Sequence, residues 1–476
     1  MPHSPTPASL AHARRGAAVR PVRSAFRRAL PAATATVLLG AVLAVPGTAT
    51  ADTPAAGTTT LSAGPNFLLL PAPLTTSQCQ AAYSANCYTA TQLRTAYDLG
   101  PLTRAGITGR GETIVVAIPY GSPTIQHDLH VFDRQFGLPD PRLTIRTFGD
   151  VPAYDPTNPV QVEWATATSL MVEEAHELAP GANILLAETT GFDFAGLDGI
   201  SQLIQAEDTL VREGVGDVIA QMWGSAEATY PSTSQGPNDP SIASLRYAYQ
   251  DAAAHGVTVL AAAGDSGAVQ TDLNGNPYPA PAVLWPASDP LVTTVGGVQL
   301  YLNDAGRTTA VPTTWNDGLG GAGSGGLSQV FPAPAYQDGV AAVADGHRAI
   351  PDISMSAAVN GGTWIYTSFA GVGGAGWDIV DGTDSATAQF AGIVALADQV
   401  AGHRLGLINP ALYRLGELSR SGNPATGLVD VTEGNTAFGG LPGFSAGPGY
   451  DLATGWGTID ASRFVPALAG AADQHN

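Results

Sequence analysis

The stretch Gly382-Thr383-Asp384-Ser385-Ala386-Thr387-Ala388-Gln389-Phe390-Ala391-Gly392-Ile393-Val394-Ala395-Leu396 decides how the chain is to be understood. Its first two residues predict a tight turn, and the rest a buried helix. Phe390, Ile393, Val394 and Ala397 recur at helical spacing and mark an apolar face. Asp384 or Ser385 is positioned to cap that helix by accepting a bond from an orphan main-chain N–H, Asp384 being the simpler N-cap. A side chain there points into the space at the helix N-terminus, where aligned peptide dipoles favour negative charge. Many enzymes place a nucleophile at such a turn.

Outward from this turn, the totals fit one large α/β domain or two small ones in 476 residues. Only 13% of residues are charged, and lysine is absent, so every fixed positive side chain is an arginine. Six of the 20 arginines precede residue 30, and no acid occurs before Asp52. Removing residues 1–51 leaves 14 arginines against 40 carboxylates, a formal charge of −26. That balance excludes nucleic acid and anionic membrane as partners. It fits a solvated acidic surface or a protein that works in acid.

Residues 1–51 predict an export signal: an Arg-rich start, an apolar run from Leu30 to Val45, and a small-residue cleavage site at Ala49-Thr50-Ala51. The run is too short and too rich in small residues for a membrane span. The mature protein is therefore expected outside the cell, secreted and monomeric. Residues 52–87 form a short Thr/Pro/Ala-rich lead holding the two cysteines, Cys79 and Cys87, whose spacing in a secreted chain predicts one small-loop disulfide. The main domain is expected over residues 88–470.

Within it, Thr113–Ile118, Ala182–Ala187, Asp217–Met222, Val257–Ala263 and Leu291–Val295 predict buried strands. Glu163–Leu178, Leu197–Arg212 and Ser241–His255 predict helices, with a last short helix around Ala461–Leu468. Apolar strands alternating with helices imply a mainly parallel sheet covered on both faces. Ligand sites on such sheets lie at the carboxyl ends of the strands, and Gly264-Asp265-Ser266-Gly267 sits at one. Residues 305–345, Gly/Pro-rich and especially so over Gly318–Gly326, predict a surface loop.

Several motifs carry a family resemblance: Gly106-Ile107-Thr108-Gly109-Arg110-Gly111-Glu112-Thr113, Leu178-Ala179-Pro180-Gly181-Ala182-Asn183-Ile184, Ala263-Gly264-Asp265-Ser266-Gly267, the Gly382-Thr383 turn and Gly447-Pro448-Gly449-Tyr450-Asp451-Leu452-Ala453-Thr454-Gly455. From about Tyr88 to Leu468 the chain resembles the sedolisins, the serine-carboxyl peptidases. The resemblance implies a subtilisin-like three-layer fold. It also implies a serine nucleophile, a glutamate base oriented by an aspartate four residues on, and a second aspartate at the oxyanion. Members commonly carry a long folded propeptide, for which the lead leaves no room.

The positions that match the family's motif hold other residues. The base and orienting positions are Ala167 and Met171, and the nucleophile position is Asp384. Only the oxyanion-type Asp265 is retained. Ser385 is the neighbouring hydroxyl, but one residue along a helix turns a side chain by about 100°, away from the family's site. Glu163 and Glu174 lie one turn outside the lost pair and are expected to be exposed helix carboxylates rather than a displaced base. On an intact fold Asp384 and Asp265 would face each other, and two close carboxylates cannot both ionise easily. That leaves a proton-sharing dyad open.

The end segment offers Asp430 and Asp451 carboxylates and the carbonyls of Val431, Gly447 and Gly449. Hard oxygens from a glycine-rich loop suit calcium; the alternative is a Gly/Asp turn cluster without metal. The resemblance implies that these five are the ligands of one structural Ca2+. Two functions remain: a pseudopeptidase that holds a peptide or protein segment in the old cleft, or an active acid endopeptidase using non-standard residues. A secreted structural protein without a ligand is the third possibility.

Overall fold

A computed structural model describes residues 69–192, 196–230 and 240–472. The expected signal, residues 1–51, and the first part of the lead lie outside the described residues. From Leu70 the lead packs onto the domain. Helix α1 (Thr76–Tyr83) opens with a capping box at Thr75, and Cys79 on it joins Cys87 with the Cα atoms 5.9 Å apart. Strand β1 (Cys87–Tyr88) spans the expected boundary, followed by α2 (Ala90–Ala96) and α3 (Gly100–Arg104).

The chain then alternates between strand and helix: β2 (Thr113–Pro119), α4 (Ile125–Phe136), β3 (Leu143–Phe148), α5 (Pro159–Leu178), β4 (Asn183–Thr189), α6 (Leu197–Arg212) and β5 (Val218–Gln221). After β6 (Ser225–Ala226), the helix expected over Ser241–His255 is two pieces, α7 (Pro240–Ala243) and α8 (Tyr247–Ala254). Next come β7 (Thr258–Ala262), β8 (Leu284–Trp285), β9 (Thr293–Gln299) and β10 (Thr313–Thr314). Strands β11 (Gly326–Pro332) and β12 (His347–Ile350), with α9 (Ala341–Ala344) between them, precede β13 (Ile353–Ser356) and the hairpin of β14 (Gly362–Thr367) and β15 (Gly376–Val380). Helices α10 (Thr383–Ala401) and α11 (Asn409–Arg420), the short pair β16 (Leu428–Val429) and β17 (Thr458–Ile459), and α12 (Ala461–Ala472) complete the domain.

The central sheet runs β10-β9-β7-β5-β2-β4-β3, with β13 also on β9, and only β10 is antiparallel. Its middle strands are buried along almost their whole length, as a parallel sheet between two helical layers requires. The subtilisin-like α/β class expected from the sequence is thus the observed one. A smaller sheet, β1-β14-β15, is held to the lead by main-chain bonds between Leu70 and Trp377.

The surface loop expected over residues 305–345 is corrected. Gly321 to Gly325 are buried, and Ala322 and Ser324 donate main-chain bonds to the carbonyls of Asp265 and Gly264, both at 2.9 Å. Without side chains, the glycines let two backbones meet where a loop over the surface would have been wetted.

Helices α5 and α10 form the inner seam. Phe390, Ile393, Val394 and Ala397 are all fully buried, as the spacing predicts. At Gly392 the helices nearly touch: a Cβ there would lie 2.9 Å from both the Ala175 carbonyl and the Leu178 Cβ. Intrinsic helix propensity gains at most about 1 kcal/mol when glycine is replaced, whereas overpacking costs about 1–3 kcal/mol, and here backbone must give way. Gly392→Val should therefore lower the unfolding free energy by about 2 kcal/mol in urea titration; an unchanged or raised value would show that the seam has slack.

Candidate functional site

The site is built where β7 ends and α10 begins. Asp265 follows β7, and its Oδ1 accepts from both the main-chain N–H and the hydroxyl of Thr383, each at 2.8 Å. The Thr383 hydroxyl accepts in turn from Gly264 N–H at 3.0 Å. Gly382 has φ +104°, and a Cβ there would sit 2.8 Å from Asp265 Oδ2, so only glycine fits the turn. This glycine is also the N-cap of α10, so the N-cap residue has no side chain to give, and the side chain that meets this end is Asp265, on the Thr383 N–H. The capping role expected of Asp384 or Ser385 is therefore corrected. Asp384 lies inside the first turn, where it still suits the helix dipole.

Asp381, just before Gly382, is a carboxyl group that feels the charge of Asp265. Burial, then the charges of Asp265 and Asp317, push Asp381 up to about 8. Asp265 is also raised, by burial, against the two Thr383 bonds. Both carboxyl groups of this corner are thus biased towards the protonated form. The sequence held a signal for Asp381, an acid placed directly before an obligatory glycine turn.

Ala167 and Met171 lie on α5, both buried. Neither can take a proton. Ser385 is 1% exposed and turns inward. Its hydroxyl donates to Glu174 Oε1 at 2.5 Å. Thr363 on β14 donates to the same oxygen at 2.7 Å, and Gln389 Nε2 to Glu174 Oε2 at 2.7 Å. The Tyr97 hydroxyl reaches Gln389 Oε1 at 3.2 Å and accepts from Ser356 N–H. Glu163 is exposed as expected, but Glu174 is fully buried, which corrects its assignment as a surface carboxylate. The sequence carried only a partial clue: Leu170, Met171, Val172, Ala175 and Leu178 surround the glutamates of the second half of α5, more apolar residues than one buried stripe requires.

At the far end of the chain, Asp430 Oδ2 accepts from Gly449 N–H and Asp451 Oδ2 from Gly447 N–H, each at 2.8 Å. Both carboxylates thus meet one glycine turn. Asp451 Oδ1 accepts from Ala453 N–H, Thr454 N–H and the Thr454 hydroxyl, which fixes its orientation. Burial raises both aspartates. The two carboxylates and the main-chain carbonyls of this turn are hard oxygens, the ligand type that a calcium ion takes. Among the described residues no group of three or more His, Cys, Asp or Glu side chains is arranged to hold a metal, so such a site would depend on main-chain carbonyls. No described helix is long and apolar enough to cross a membrane.

No family model matches the chain. It is 31% identical to kumamolisin from Bacillus sp. (strain MN-32) over 381 residues, covering 78% of this chain and 62% of that protein. To sedolisin from Pseudomonas sp. (strain 101) it is 30% identical over 392 residues, covering 80% and 61%. The chain thus spans about three-fifths of the length of these relatives. The solved structure of Pseudomonas sedolisin, a serine-carboxyl proteinase complexed with two molecules of pseudo-iodotyrostatin, superimposes with a TM-score of 0.66 at 27% identity. That match covers 81% of this chain and 99% of the other. Over the matched four-fifths of its length, the chain belongs to the sedolisin family.

Proposed function

We propose that this protein is a secreted pseudopeptidase: a sedolisin-family domain that binds a peptide or protein segment without cutting it. One observation carries this. At the three positions that match the family's triad stand Ala167, Met171 and Asp384, and the neighbouring hydroxyl, Ser385, is buried and committed to Glu174. A serine-type mechanism needs an accessible hydroxyl beside a proton acceptor. The comparisons support peptidase ancestry, and with it a peptide as the class of ligand. The expected export signal supports secretion.

The same corner favours a second function. Asp265 lies against Gly382 and Asp381 directly precedes it, and the charge of Asp265 adds to the burial that favours a protonated Asp381. A neutral and an ionised carboxyl group can share the acid and base work of a water-mediated hydrolysis. That would make the chain an acid endopeptidase of unorthodox chemistry, and Asp381 its essential residue.

Cleavage of labelled octapeptides from pH 3 to 7 separates the two. The natural chain should bind such peptides and leave them whole. Ala167→Glu, Met171→Asp and Asp384→Ser combined should raise turnover at acid pH by about a thousandfold, the scale set by a triad residue. Turnover by the natural chain that Asp381→Asn abolishes would replace the first function with the second.

We further propose that Asp430 and Asp451, with the carbonyls of Val431, Gly447 and Gly449, hold one structural calcium ion. A ligand bound only by the folded state at a hundred times its Kd adds about 2.7 kcal/mol. Chelation should therefore lower the melting temperature by several degrees, calcium but not magnesium should restore it, and Asp430→Asn should remove the response. A melting temperature indifferent to chelator would leave the turn as a metal-free Gly/Asp cluster.

A further inference from the structure

The last two turns of α5 carry four ionisable side chains, Glu173, Glu174, His176 and Glu177, and all are buried. They are not equally provided for. Glu174 has the three donors described above. Glu173 Oε2 accepts from Tyr366 N–H at 2.8 Å, but among the described residues no donor reaches Oε1. For Glu177, none reaches either oxygen. Its nearest cation, Arg94 of α2, instead spends its guanidinium on the Glu177 main-chain carbonyl and the Thr103 hydroxyl.

The other facing groups do not make up the deficit. From α4, Asp128 and Asp133 add negative charge near Glu173, and Asp133 is paired with His176 at 3.0 Å. Asp140, just beyond α4, adds to the field at Asp133. From α2, Arg94 and the Tyr97 hydroxyl face Glu177 and Glu174. Tyr366 faces from β14, and α10 contributes the neutral Ser385 and Gln389, with Asp381 just before it. Strand β2 carries no ionisable side chain, and Glu188, on β4, lies against Gly121 instead.

An ionised carboxylate in this setting costs several kcal/mol, while a protonated one keeps only the smaller penalty of a neutral polar group. We propose that the α4–α5–α10 seam is an acid-dependent lock, closed while Glu173 and Glu177 keep their protons and driven open as they lose them. Because α5 carries positions 167 and 171 and α10 carries position 384, opening the seam would dismantle the face where a peptide is held. The lock does not depend on whether that face binds or cuts.

Burial, the leading cause, pushes both groups well above the ordinary glutamate range. Neighbouring carboxylates push the same way, and only the Tyr366 N–H and the Arg94 charge oppose them. A group raised in the folded state holds a proton there that the unfolded chain has released. Its stabilisation is therefore complete below about pH 4.3, the unfolded value, and is lost as pH rises through the folded value. This is the reverse of the usual carboxylate dependence.

The test is the melting temperature of the full chain from pH 4 to 7.5 at constant ionic strength and calcium. The natural chain should melt progressively lower as pH rises. Glu207 and Asp398 are also raised by burial, so the decisive readout is the variant pair. Glu173→Gln with Glu177→Gln should match the natural chain within about two degrees at pH 4 and melt at least five degrees above it at pH 7. If the double variant does not fold, Glu177→Gln alone and hydrogen exchange of the natural chain decide. Protection of the α5 amides, corrected for intrinsic rates, should then drop at least tenfold between pH 4 and 7. A flat or rising melting temperature in the natural chain, a variant that keeps the full slope, or pH-independent protection would overturn the proposal.

Discussion

A carboxyl group inside a protein must either be given donors or keep its proton, and the α5–α10 seam does both. Glu174 is given three donors by Ser385, Thr363 and Gln389, which lie on α10 and β14. Glu173 and Glu177 are given fewer than their oxygens could accept. The helices approach closely at Gly392, one residue of α10 lying against Ala175 and Leu178 of α5. The turn at the head of α10 depends on the same packing, because Thr383 is pinned to Asp265 and Ser385 to Glu174 from one end of one helix.

On the proposed function, this arrangement is how the fold outlasts a lost triad. The core pattern of α5 and α10 is independent of which side chains stand at positions 167, 171 and 384. Alanine and methionine on α5 remove the cost of desolvating a glutamate and an aspartate. The turn geometry is retained because it depends on Gly382, Thr383 and Asp265, none of which needs to react. In this chain Ser385 and Glu174 satisfy each other inside, and the charge of Asp265 adds to the burial that raises Asp381 at the turn.

Much of this was legible in the sequence and some of it was not. The central strands, α6 and the buried face of α10 follow from hydrophobic periodicity, and the disulfide from two cysteines in a short lead. Residues 167 and 171, which the sequence assigns to the base and orienting positions, do lie on one unbroken helix, α5. Glu174 was misplaced because a glutamate on a helix is usually solvated, and its donors come from residues 189 to 215 positions away in sequence. The buried glycines of 321–325 were misplaced for a similar reason, since composition cannot tell a wetted loop from backbone packed on backbone. Asp381 was passed over although it stands directly before the Gly382 turn, because its interaction with Asp265 joins residues far apart in sequence.

The central claim is that the head of α10 offers no accessible hydroxyl as a nucleophile. Intact-mass measurement after exposure of the folded chain to a serine-directed fluorophosphonate, at pH 4 with calcium, tests it most directly. The account predicts an unchanged mass, because Ser385 is enclosed and Asp384 has no hydroxyl. A stoichiometric adduct mapped to Ser385 would contradict it and return the chain to the serine peptidases.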